Sequence, residues 1–123
     1  MRKHYLSVNV AAQALLLLEA VLRHGCCERR GIAQLALPYG VNREVALAFA
    51  EQCHWLRADG PGRVACTEEG ARIASGFDGT GIGPALWRRI LEGYIRHCRP
   101  AWAKRIPYGR AEAYLVMTEE EQR

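Results

Sequence analysis

Seven side chains of this 123-residue chain have the chemistry of metal ligands: Cys26, Cys27, Cys53, His54, Cys66, His97 and Cys98. The neighbours Cys53–His54 and His97–Cys98 stand out. Zinc, however, is usually held by ligand pairs about two to four residues apart, as in Cys-x-x-Cys, and no such pair exists here. Adjacent residues on a helix point about 100° apart, so Cys53 and His54 do not easily share one ion. Cys53, Cys66 and Cys98 fall on apolar faces, where cysteine acts as a small buried hydrophobe. Cys26 and Cys27, flanked by Arg29 and Arg30, have the more activating surroundings. No metal and no cofactor is expected.

Catalytic patterns are equally thin. No Ser-His-Asp set, nucleophile elbow or phosphate-cradling loop is present. Gly79-Thr80-Gly81-Ile82-Gly83 follows a helical stretch rather than a strand, and it lacks a Lys-Ser/Thr ending. His4, His24, His54 and His97 have no acid partner at a telling spacing. The expectation is a protein without catalytic residues.

The arginines carry more information. Fifteen of the seventeen bases are Arg, with Lys3 and Lys104 the exceptions. Arginine pairs bidentately with phosphate and guanine, so the bias fits nucleic acid. Its plainer cause is a GC-rich genome. The net charge is +4, yet Pro84 to Arg110 alone holds Arg88, Arg89, Arg96, Arg99, Lys104, Arg105 and Arg110 against Glu92. The basic character therefore belongs to one C-terminal segment, read as a phosphate-binding stripe or as an ordinary solvated helix face.

The elements that must position these residues follow from apolar spacing and punctuation. Ser7 or Asn9 caps a first helix to about His24, apolar nearly all round and ended by Gly25. Such a helix is either central or shared with a second subunit. Residues 26 to 31 form a connection. A second short helix starts near Gly31, carries Ile32, Leu35 and Ala36 inward, and stops at Pro38. Gly40 supplies a turn, Val41 plugs it, and Asn42 caps a third helix reaching about Trp55. Val45, Phe49 and Cys53 are its inner face.

Asp59-Gly60-Pro61-Gly62 divides two short strands of a hairpin. Thr67-Glu68-Glu69-Gly70 opens a further helix that carries Ala71, Ile73 and Ala74. Residues 76–83 are a glycine-rich hinge. Pro84 to Cys98 is the cleanest amphipathic helix. Leu86, Trp87, Ile90, Leu91, Tyr94, Ile95 and Cys98 line one face, and Arg88, Arg89, Glu92, Arg96, His97 and Arg99 the other. Arg110 to Val116 reads as a short helix. Thr118-Glu119-Glu120-Glu121 begins a helix with no residues left to build it, so the chain reads as opening into further sequence or ending in an acidic tail.

Ile32, Ala36, Gly40, Val41 and Asn42 together resemble the helix-turn-helix pattern. The hairpin and its Thr-Glu-Glu-Gly exit resemble the wing of winged helix-turn-helix proteins such as the MarR and ArsR families. The resemblance covers about residues 10 to 74. It implies double-stranded DNA as partner, with Asn42, Arg43, Glu44, Ala46, Leu47 and Ala48 toward base edges and Arg57 and Arg63 on phosphates. The third helix departs from the pattern. It is short and apolar, and Glu44 repels phosphate.

The expected fold is thus mostly α with a small β-hairpin wing. A winged helix-turn-helix domain spans 7–75, and a basic helical extension spans 84–123. The expected function is regulatory DNA binding in a bacterial-type cytoplasm. Its site residues are Asn42, Arg43, Glu44, Arg57, Arg63, Arg88, Arg89, Arg96, Arg99, Lys104 and Arg105. A homodimer through the first helix and the helix from Pro84 to Cys98 is expected. The alternative is a protein-docking or dimerisation module of a larger multi-domain system. The longest apolar stretch, Val10 to Leu22, is too short and too polar to span a bilayer. The odd, irregular cysteines argue against a secreted disulfide framework.

Overall fold

The computed structural model describes residues 6–25, 28–38 and 40–99. Its elements run α1 (Val8–His24), α2 (Arg29–Ile32), α3 (Arg43–Gln52), β1 (Leu56–Ala58), β2 (Val64–Cys66), α4 (Glu68–Ser75) and α5 (Pro84–Cys98). The fold is mostly helical with one two-stranded antiparallel sheet.

Three helices begin with the same device. The side chains of Ser7, Asn42 and Thr67 accept a hydrogen bond from the backbone N–H three residues on, at Val10, Val45 and Gly70, over 3.0–3.1 Å. Each satisfies one of the donors a helix start leaves open. At the other end of α1, Gly25 takes a left-handed conformation and returns its N–H to the last turn. α5 starts with proline in its first turn, where no amide is needed.

α1 is the central helix. Leu15, Leu17 and Leu18 are wholly buried, and α1 packs chiefly on α3. An aromatic group closes the core: Phe49 meets Trp55 edge-on at 5.5 Å and stacks on Tyr94 at 5.9 Å. Leu86, Trp87, Ile90, Leu91 and Tyr94 of α5 join the same apolar cluster as α1 and α3. The glycine-rich stretch therefore connects two parts of one core. Burying these side chains removes about 1.5–3 kcal/mol of unfavourable hydration each. The two apolar faces expected to form a homodimer are thus covered within the chain. Val8 and Leu22 are the large apolar residues left exposed among those described.

Several boundaries differ from expectation. α2 begins at Arg29 and ends at Ile32, well before Pro38. Ala36 is consequently exposed rather than pressed into a helix crossing, and Leu35 is only half-buried. α3 ends at Gln52 because the chain turns left-handed at His54 (φ 59°). There the Trp55 N–H reaches the Ala50 carbonyl and the His54 N–H reaches that of Glu51. This is the Schellman arrangement, with histidine where glycine is usual. α4 buries Ile73 as expected, but Ala71 is exposed. Cys26, Cys27, Lys104, Arg105, Arg110 and the helices expected beyond Pro100 lie outside the described residues.

The hairpin pairs Arg57 with Ala65, and Gly60 and Gly62 supply the positive φ its turn requires. It is tied back to α2 at two points. The Arg29 N–H donates to the Gly62 carbonyl over 2.9 Å, and Glu28 forms an antiparallel bridge with Arg63.

Candidate functional site

Of the residues expected to read bases, Asn42 and Arg43 have local partners, and Ala46 is buried in the core rather than turned outward. The Asn42 side chain caps α3, and its backbone N–H donates to Gln13 Oε1 over 2.7 Å. The Arg43 guanidinium donates through Nη1 to the carbonyls of Ile32 (2.8 Å) and Leu35 (2.7 Å). Arg43 thus ties the start of α3 to the last residue of α2 and to the loop that follows it. Glu44 is exposed in the first turn of α3, where an acid suits the helix dipole.

The outer face of α3 is therefore acidic and apolar. Glu44, Leu47, Ala48, Glu51 and Gln52 line an open groove of about 500 Å³ together with His54, His97 and Cys98. Glu51 pairs with Arg29 at 2.8 Å, a contact that pushes the Arg29 pKa up, first through the hydrogen bond and then through the charge.

The remaining expected residues lie on the hairpin and α5. Arg57 and Arg63 are exposed, and Arg63 stands 3.9 Å from Glu28. Arg88, Arg89, Arg96 and Arg99 are all exposed on α5, with Glu92 among them. Arg96 reaches Glu69 at 3.5 Å. At about 100° per residue, Arg88, Arg89, Glu92 and Arg96 occupy one face of the helix, opposite Leu86, Ile90 and Tyr94, and Arg99 follows at its left-handed C-cap.

One cluster was not legible in the sequence. His97, expected on the solvated face of α5, is half-buried. Its Nε2 lies 3.0 Å from Glu69 Oε1. Its ring stacks on that of His54, with centroids 3.8 Å apart and planes 20° apart. Gly93 makes room for this approach: a Cβ there would come within 2.8 Å of Glu69 Oε2. The only sequence signal was the second acid of Thr-Glu-Glu-Gly, which serves α5 as well as its own helix dipole.

Beneath the cluster, Cys53 is fully buried. Burial, then the nearby Cys98 and Glu69, holds its thiol pKa well above the usual value. Burial also pushes up the Cys66 thiol. The Cys98 thiol donates to the Gln52 carbonyl over 3.6 Å. Among the described residues, no group of three or more His, Cys, Asp or Glu is placed to hold a metal ion. No helix among them is long and apolar enough to cross a membrane.

Comparison of the chain with protein-family models, curated proteins and solved structures gives no match.

Proposed function

We propose that this chain is a regulatory winged helix-turn-helix module that holds double-stranded DNA by its phosphates rather than by reading bases through α3. The order of three helices, hairpin and helix supports the winged reading. So does the isolated Glu28–Arg63 bridge, which ties the hairpin to the start of α2. The observation that carries phosphate contact is the exposed face of α5, where Arg88, Arg89, Arg96 and Arg99 surround one acid, Glu92. Arg57 and Arg63 extend the contact onto the wing. Base readout by α3 has little chemistry behind it, since Asn42 and Arg43 serve the fold and Glu44 is an anion.

Phosphate contact has a measurable signature. Each neutralised phosphate adds about −0.9 to the slope of log K against log salt. A labelled duplex titrated at several salt concentrations should give a slope of about −4 to −5 if the four α5 arginines and one wing arginine all engage. Arg89→Ala and Arg99→Ala should each reduce its magnitude by about 1 and weaken binding alike on unrelated sequences. Absence of binding at low salt would sink the proposal.

A further inference from the structure

We infer that the groove on α3 is a docking site for a short arginine-bearing segment of a partner protein. Three features of the groove select such an occupant. Glu44 is exposed and has no ion-pair partner among the described residues, and Glu51 adds a second carboxylate, held by Arg29. Between them lie Leu47, half-buried, and Ala48, an apolar floor with no donor for a phosphate. The stacked pair His54 and His97 also lines it.

These features fit one chemistry. A guanidinium pairs bidentately with a carboxylate and stacks on a flat ring, and a lysine does only the first in part. Glu51 is already held by Arg29, so Glu44 is the carboxylate left for an incoming cation. The occupant is therefore a segment with one arginine at Glu44 and a leucine-like residue over Leu47 and Ala48. The groove volume also lies within the ~300–1,000 Å³ of sites that enclose a ligand of that size. DNA is disfavoured there because both carboxylates repel phosphate.

The test uses the full chain and a fluorescein-labelled peptide with one arginine beside a leucine pair. Saturable binding is expected, weakened about tenfold or more by Glu44→Lys, which places like charges together, and by Ala48→Arg, which fills the floor. Both sites are exposed, and an unchanged melting temperature verifies the fold. A peptide with glutamate in place of arginine should not bind, and Arg89→Ala should leave binding intact. Affinity in both variants equal to that of the unaltered chain, equal binding of the acidic peptide, or no binding would overturn the inference. So would a self-association lost on Glu44→Lys without peptide binding, which would assign the groove to a second copy of the chain. The duplex titration is independent, so either reading can fail alone.

Discussion

Gly70 rests against the backbone of Trp55 so closely that a Cβ would overlap the Trp55 carbonyl oxygen and come within 2.9 Å of its Cα. The contact is held by Thr67, whose N–H donates to the same carbonyl over 3.0 Å and whose hydroxyl donates to the His54 carbonyl. Thr-Glu-Glu-Gly is thus a packing motif: a cap, two acids at the positive end of a helix, and a residue without a side chain where two backbones meet.

Gly70→Ala should therefore destabilise the fold by about 1–3 kcal/mol, since backbone cannot move aside as a side chain can. Gly81→Ala makes the control, because nothing lies within 4 Å of its Cβ position and its φ is not positive. Gly81→Ala should be neutral or stabilising by up to about 1 kcal/mol. Urea unfolding of both variants decides the matter, and equal midpoints would refute the packing argument.

Arg43 offers a second contrast. As a clamp on the Ile32 and Leu35 carbonyls, it should cost about 1–3 kcal/mol of stability when changed to alanine. Duplex affinity, measured well below the melting temperature, should barely change. An unaltered melting curve combined with relaxed base preference would make Arg43 a reader instead.

Alkaline stability follows from the buried thiol and phenol. Cys53 and Tyr94 both have folded pKa values raised above their ordinary ones of 9.0 and 10.0, chiefly by burial. Below those values both states are protonated, and the stabilisation is fully present. Above them the unfolded chain ionises and the folded chain does not, so stability is lost as pH rises. Thermal melts should hold steady up to about pH 8 and fall progressively from about pH 9 upward. Cys53→Ala should cost stability at neutral pH through its cavity, yet flatten the alkaline fall. A melting temperature independent of pH in that range would contradict this account.

The parts legible in the sequence were those governed by local rules. α5 occupies Pro84–Cys98 as its spacing predicts, because a proline start, apolar residues three and four apart and an exposed arginine face all agree. The hairpin followed from Asp-Gly-Pro-Gly. α2 was misjudged because Ile32, Leu35 and Ala36 have helical spacing. That spacing does not report Arg43, whose guanidinium holds the Ile32 and Leu35 carbonyls where the helix has already ended. The His54–His97–Glu69 cluster joins three distant elements, and no spacing rule reports it. The outer face of α3 stood between these cases: Glu44, Leu47 and Ala48 already read as unsuited to DNA, but the groove they form needed α5 beside them.

The stacking of Phe49 on Tyr94 has a consequence for how the chain is made. The core that α1 and α3 begin cannot be closed until α5 has left the ribosome. A nascent chain that has completed its hairpin and α4 still carries the uncovered apolar surface that Trp87, Ile90 and Tyr94 will later shield. For that interval the chain exposes apolar surface of the kind that makes folding intermediates prone to aggregation. Substitutions on the inner face of α5 should lower yield during synthesis more than they lower the stability of the finished molecule.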